Sequence, residues 1–332
     1  MYDFEETRLI EEIRRRSPKR VLLQFPEGLK PLAAKLADTL EQKTGVEIFV
    51  SGDPCYGACD LALLQMKQLQ ADLLVHVGHA EIPSQSSRDV IYVEARSNEK
   101  IDKPLAEALK LLKHEKKIGL AASVQHLHLL KAAKEILERA GKVVVVGKAS
   151  GRLMYEGQIL GCDYGSVFSV AGDVDAFLVL AGGDFHSLGV SLTSGKRTIV
   201  ADPYQQTARD ATSLVQKILR QRYATIVKFR EAKRIGVVAG LKSGQMNLAL
   251  AGRLKTLLEE NGKSCTLMAS LELVPESLES FTDLDGFVEV ACPRISIDDR
   301  GRYHKPVVNP DEALIAIDKK SWEDYGRHTK EA

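Results

Sequence analysis

Apolar residues in this chain fall into short runs separated by longer stretches with helical spacing. Three of the runs open alike. Lys19-Arg20 leads VLLQFPEGL, Lys116-Lys117 leads IGLAASVQHL, and Lys233-Arg234 leads IGVVAGLKSGQMNL. Each reads as a buried strand, then a polar or glycine-bearing turn, then a helix. A second strand follows each helix, in VEIFVSG (46–52), VVVVGKA (143–149) and CTLMAS (265–270). A third, each time led by an aspartate, follows in Asp72-LLVHVG, Asp175-AFLVLAGG and Asp285-GFVEVAC. The first two segments close on a fourth extended piece, at 89–93 and 197–201. Strands alternating with helices predict an α/β protein with mainly parallel sheets. The threefold recurrence predicts three repeated small α/β domains around a pseudo-threefold site, over 1–115, 116–232 and 233–318, because a period of about one hundred residues is too long for a solenoid. The N-terminal MYDFEETRLIEEIRRR reads as a charged amphipathic helix, and a long helix from about Gln206 to Lys228 bridges the second and third repeats. The polar stretch 319–332 reads as a loose tail.

Ligands of open parallel sheets gather where loops leave the carboxyl ends of the strands. That rule puts FPEG, SVQH and KSGQ on one rim, and with them Gly28, Gln125, His126, Ser243, Gly244 and Gln245. Backbone amides in such turns suit a carboxylate, and a glutamine amide suits a carboxylate or an adenine edge. The same residues also serve as helix caps and turn formers. His79 and His186 follow third strands, where a structural role competes with a place near the substrate. Arg294 can orient a carboxylate or close a salt bridge. Asp298 and Asp299, adjacent on an extended piece, face opposite ways and predict no metal.

The cysteines sort by the repeat. Cys59 and Cys162 each follow a second strand, each precedes an aspartate, and each opens a helix, whose N-terminus favours thiolate. Cys292 leaves the third strand of the third repeat. Each repeat therefore supplies one cysteine to the rim. Cys265 begins a strand and reads as a core residue, while Cys55, on the Cys59 turn, has no counterpart in the other repeats. The alternative for the rim cysteines is three ordinary buried thiols. As ligands, three thiolates fall short of the four a structural zinc prefers. On a [4Fe–4S] cluster they leave one iron open, and the amino and carboxylate groups of S-adenosylmethionine (SAM) are suited to chelate it.

Composition narrows the setting. The 332 residues carry 46 Lys+Arg against 45 Asp+Glu, a net charge of +1, which excludes a nucleic-acid binder that works by bulk electrostatics. At 44% hydrophobic residues the chain is not disordered. Five scattered cysteines make a poor disulfide framework and point to a reducing compartment. With no apolar signal segment and only strand-sized apolar runs, the expectation is a cytoplasmic protein without a membrane span.

Taken together, SGDPCYGACDLA, GLAASVQHLHLL, GCDYGS and VEVACPRISIDD resemble the archaeal first-step enzymes of diphthamide biosynthesis, the 2-(3-amino-3-carboxypropyl)histidine synthases, over nearly the whole chain. The resemblance implies a homodimer with a [4Fe–4S] cluster on Cys59, Cys162 and Cys292 of each protomer. It also implies non-standard radical-SAM chemistry fed by a low-potential electron donor. The 3-amino-3-carboxypropyl group of SAM would pass to C2 of a histidine on translation elongation factor 2, with 5′-methylthioadenosine as co-product. Competing readings are a quinolinate synthase-like dehydratase, in which the open iron acts as a Lewis acid, a noncatalytic subunit that only delivers electrons, and a periplasmic-type binding protein, which the lack of a signal segment disfavours.

Overall fold

A computed structural model of the chain describes residues 2–299 and 301–325. The chain divides into two compact units, residues 1–211 and 212–332.

The first unit contains two sheets and a ribbon. Its strands are β1 (Tyr2–Asp3), β2 (Arg20–Gln24), β3 (Glu47–Val50), β4 (Leu73–Val77), β5 (Val90–Val93), β6 (Arg96–Ser97), β7 (Lys117–Ala122), β8 (Val143–Val145), β9 (Ala176–Leu180), β10 (Arg197–Asp202) and β11 (Thr207–Asp210). One sheet runs β3-β2-β4-β5, all parallel. The other runs β8-β7-β9-β10-β11, parallel except for the last pair. β1 and β6 form an antiparallel ribbon. The second unit has β12 (Arg234–Gly240), β13 (Ser264–Ser270), β14 (Gly286–Val290) and β15 (Val307–Val308), in the parallel order β13-β12-β14-β15. In every sheet the strands of the repeat therefore lie in the order second, first, third, fourth.

The recurrent aspartate has a structural cause. Asp72 Oδ2 accepts the backbone N–H groups of Lys19 (2.6 Å) and Arg20 (3.3 Å). Asp175 Oδ2 does the same for Lys116 (2.9 Å) and Lys117 (2.7 Å), and Asp285 Oδ2 for Lys233 (2.9 Å) and Arg234 (2.7 Å). Each carboxylate thus satisfies two donors where the first strand begins and sets the register of the third strand beside it. The backbone bonds from Lys117 and Lys116, and from Arg234 and Lys233, hold the Asp175 and Asp285 carboxyls below the usual carboxylate range.

Three departures from expectation have physical reasons. Residues 207–210 form β11 rather than the start of the long helix, covering the open edge of β10 in antiparallel register; Arg197 Nε reaches Asp210 Oδ2 at 2.8 Å. The helix itself spans Thr212–Glu231, and its Ile226 and Phe229 pack into the core under β12 and β14, so this packing unit begins before the opening strand of the third repeat. Cys265 is half-buried, because β13 is an edge strand whose side chains are mostly exposed. Burial on its inner side still pushes the Cys265 thiol up to about 11.

The described part of the C-terminal stretch is docked rather than loose. Trp322 stacks on Tyr325 with ring centroids 4.8 Å apart, and the Tyr325 hydroxyl donates to Glu312 Oε1 at 2.7 Å. The expected tail beyond residue 325 lies outside the described residues. Glu312 also receives the buried Arg222, through Nε (2.7 Å) and Nη2 (2.5 Å). The same guanidinium donates to the carbonyls of Ser296 and Val307, both at 2.8 Å. Arg222 thereby ties the long helix to β15 and to the short helix Pro293–Asp298 that follows Cys292.

Candidate functional site

In the first unit Cys59 sits in the loop between β3 and the helix Leu63–Gln68. The loop is fastened from beneath by Gln24, the last residue of β2, whose side chain is 3% exposed. Its Nε2 donates to the Asp60 carbonyl (2.6 Å), and its Oε1 accepts the Ala62 N–H (3.1 Å) and faces His76 Nδ1 at 2.8 Å. Asp60 in turn accepts the Tyr56 N–H at 3.3 Å. The turn carrying Cys59 is thus held by side chains of the strands below it.

Cys162 lies in the equivalent place of the second sheet. Asp163 organises its loop by accepting the Gly165 N–H (2.8 Å) and the Arg152 N–H (2.7 Å). Arg152 Nη1 lies 3.5 Å from Cys162 Sγ. Burial pushes the Cys162 thiol up, Arg152 pulls it down, and the nearby Cys59 pushes it up again. Cys162 and Cys59 are both among the charges that raise the Arg152 guanidinium against the opposing effect of burial. Two rim cysteines therefore share one electrostatic neighbourhood with the cation of Arg152. The expected source of thiolate stabilisation was a helix N-terminus, and here the structure differs. The first helix starts only at Leu63 and the second, Gly165–Phe168, is a single turn, so the positive charge comes from Arg152. Nothing in the repeat pattern singled out Arg152; its only signal was a cation in the loop preceding Cys162.

The other first-unit candidates divide. Gln125 Nε2 donates to the Gly78 carbonyl at 2.5 Å, joining the SVQH turn to the turn that carries His79. Gly78 is required there, with φ +91° and Pro26 Cγ 2.8 Å from where a Cβ would lie. His126 is buried at 1% exposure, its Nδ1 3.0 Å from Ser123 Oγ and its ring edge-on to Tyr204. Its Nε2 has no hydrogen-bond partner among the described residues, and burial drives its pKa down to about 4, so the ring is neutral. Gly28 is exposed in the turn Glu27–Leu32 and has open space above it. His186 lies in the first turn of the helix Phe185–Ser194.

In the second unit Cys292 directly precedes the helix Pro293–Asp298. Beneath it Glu289 is fully buried, and its Oε2 accepts the Ala291 N–H at 3.2 Å. Burial pushes this carboxyl well above its ordinary range, against the backbone N–H groups of Ala291 and Cys292, which lower it. The KSGQ turn, with Ser243, Gly244 and Gln245, adjoins this loop. A Cβ on Gly240 would lie 2.6 Å from Ala291 Cβ and 3.8 Å from Gln245 Cβ. Arg294 forms a salt bridge with Asp298, Nε 2.7 Å from Oδ2 and Nη2 donating to Oδ1 at 2.9 Å, which engages the side chain. Asp298 ends the helix Pro293–Asp298 and Asp299 caps it, so the pair does not lie on an extended piece as expected.

The donor set suits an iron–sulfur cluster. Cys59 and Cys162 converge beside a cation that offsets thiolate charge, and Cys292 leaves the corresponding end of the third sheet. Comparison with known proteins agrees. A 2-(3-amino-3-carboxypropyl)histidine synthase of Pyrococcus horikoshii is 35% identical over 320 residues, covering 96% of this chain and 91% of its own length. Subunit 1 of the synthase from Schizosaccharomyces pombe is 32% identical, over 97% of this chain and 75% of its own. The crystal structure of Dph2 from Pyrococcus horikoshii with a 4Fe-4S cluster superposes with a TM-score of 0.88 at 34% identity, covering 97% of this chain and 93% of that one. The diphthamide synthesis protein family matches residues 25–326, a span that contains all three rim cysteines: this protein belongs to that family.

Proposed function

We propose that this protein is a transferase acting in the first step of diphthamide biosynthesis. It moves the 3-amino-3-carboxypropyl group of SAM to C2 of a histidine on translation elongation factor 2 and releases 5′-methylthioadenosine. One electron breaks the Cγ–sulfur bond, a new bond joins the former Cγ of methionine to the imidazole carbon, and the adduct gives back one electron as the C2 proton leaves, so the transfer is redox-neutral overall. The observation that carries this reading is the convergence of Cys59 and Cys162 on Arg152 in a chain similar to a cluster-bearing structure.

In this reading Cys59, Cys162 and Cys292 hold a [4Fe–4S] cluster. Bound there, the cluster supplies the electron that opens the sulfonium. The protein's own residues hold the thiols in place and shape the surroundings. Gln24 and Glu289 fix the Cys59 and Cys292 turns from below, and Arg152 offsets the negative charge that gathers at the thiolates. The SVQH and KSGQ turns remain the places where this chain would meet SAM. His126 Nε2 offers a lone pair or a proton there without carrying charge, and Ser243, Gly244 and Gln245 offer backbone and amide groups. Domain boundaries at 115, 232 and 318, a cytoplasmic setting, a homodimer and a low-potential electron donor complete the proposal. No helix among the described residues is long and apolar enough to cross a membrane.

The test is an anaerobic assay. Protein reconstituted with iron and sulfide and reduced with dithionite should convert SAM to 5′-methylthioadenosine and label archaeal elongation factor 2. Cys59→Ala, Cys162→Ala and Cys292→Ala should each lose the cluster signal, whereas Cys265→Ala should keep it. Formation of 5′-deoxyadenosine instead, or no turnover of SAM, would overturn the proposal.

A further inference from the structure

Behind the Cys59 turn lies a second group of metal-ligating side chains for which the cluster has no use. Cys55 is 3% exposed, His76 is fully buried and His79 is half-buried. One donor atom from each lies within 4.8 Å of the other two.

Gln24 decides which nitrogen of His76 is available. Its Nε2 donates to the Asp60 carbonyl and its Oε1 accepts from Ala62, so the orientation of the amide is fixed. His76 Nδ1, 2.8 Å from that same Oε1, must therefore carry a proton. The lone pair of the neutral ring sits on Nε2, the nitrogen 3.0 Å from His79 Nδ1. A metal-binding imidazole has this arrangement, one nitrogen donating to an oxygen and the other directed at the ion. A tetrahedral zinc-class site, with metal–nitrogen distances of ~2.0–2.1 Å and metal–sulfur ~2.3 Å, places nitrogens about 3.3 Å apart and sulfur about 3.6 Å from each nitrogen. The two imidazoles already stand near that spacing, and about an ångström of side-chain movement would bring in the thiol.

We propose that Cys55, His76 and His79 form a mononuclear site for a divalent cation of the zinc class, completed by water and separate from the three-cysteine site. The ion takes the place of the proton between the two rings. His79 moves that proton from Nδ1 to Nε2, the Cys55 thiol loses its own, and one proton is released for each ion bound. Thiolate and imidazole donors favour zinc over magnesium or calcium. Such an ion would bind the Cys55–Cys59 turn to β4 and stiffen the loop that presents Cys59.

The experiment uses the full chain with Cys59→Ser, Cys162→Ser and Cys292→Ser, which removes the competing thiols, and Co²⁺ as the probe. The expected result is one equivalent of Co²⁺ with tetrahedral d–d absorption and a sulfur-to-cobalt charge-transfer band. Adding Cys55→Ala should abolish that band, His79→Gln should weaken binding at least tenfold, and Cys265→Ala should change neither. Absence of Co²⁺ binding by the folded triple variant, or binding that survives Cys55→Ala, overturns the proposal. Elemental analysis of the otherwise unaltered protein gives a second measurement should the triple variant not fold. It should show one zinc-class ion per chain beside the iron, lost in Cys55→Ala with the iron content unchanged. Iron without such an ion would refute the second site while leaving the transferase reading intact.

Discussion

Gln24→Leu tests whether the Cys59 loop is held from below. The two side chains are close in size, so the change removes hydrogen bonds more than volume. Three groups lose their partner: the Asp60 carbonyl, the Ala62 N–H and His76 Nδ1. A buried polar group left unpaired costs ~1–3 kcal/mol, so three would cost roughly 3–9 kcal/mol if the loop stayed in place. That sum rivals the ~5–15 kcal/mol that holds a whole domain together. The two loop groups can escape the penalty by turning to water, whereas His76, inside β4, cannot. The loop is therefore expected to open while the sheet survives, with a global loss near that of one orphaned group, ~1–3 kcal/mol. Hydrogen exchange should show much faster exchange at amides 56–62 with little change at β2 and β4. After reconstitution the variant should retain less iron than the parent at equal protein. Gln24→Glu keeps the acceptor but loses the donor to Asp60, and should fall between the two. Unchanged exchange at 56–62 together with full iron retention in Gln24→Leu would refute the reasoning.

Three other outcomes follow from charges and burial. In the cluster-loaded protein Arg152→Gln removes a cation beside Cys162, making the reduced cluster harder to form. The reduced-to-oxidised ratio at fixed potential should fall about tenfold, equivalent to ~59 mV for one electron, and a redox titration followed by electron paramagnetic resonance that shows no shift would count against this role. Arg222→Met leaves Glu312 buried without its ion-pair partner and should cost ~3–5 kcal/mol in denaturant unfolding. Arg222→Met combined with Glu312→Gln should recover part of that loss; no recovery would mean that the packing of Arg222 dominates. His126 is neutral when folded, its pKa lowered to about 4 chiefly by burial, with His128 lowering and Asp202 raising it, and with Ser123 and Tyr204 against the ring. The unfolded chain takes up the proton near pH ~6.5, so this stabilisation is complete above that value and is lost as pH falls towards 4, roughly 3 kcal/mol in all. His126→Gln should flatten the fall in urea midpoint across that window, and equal slopes in parent and variant would refute the assignment.

The parts of the structure that could be read from the sequence are those whose cause is local to a repeat. An aspartate before each third strand is legible because its carboxylate clasps the start of the first strand, accepting the same pair of backbone N–H groups in all three sheets. β15 escaped notice because two residues carry no periodicity, and β11 because a polar edge strand resembles the first turn of a helix. Arg152 and the Gln24–His76–His79 chain depend on which strands lie side by side, with Gln24 opposite His76 in the register of β2 and β4. Even so, the apolar runs carried a hint. His76 stands four residues after Asp72, and Glu289 four residues after Asp285, each a polar residue near the end of an otherwise apolar strand. A buried polar side chain at that place must find a partner, and the nearest backbone in need of one is the turn above the rim. That is where His76 acts, through Gln24, on the Cys59 loop, and where Glu289 acts on the Cys292 loop. The second repeat has Val179 at the matching position, and there the cysteine loop is organised by Asp163 and Arg152 instead. In the first and third repeats the break in the hydrophobic pattern marks what lies directly beneath a rim-cysteine loop.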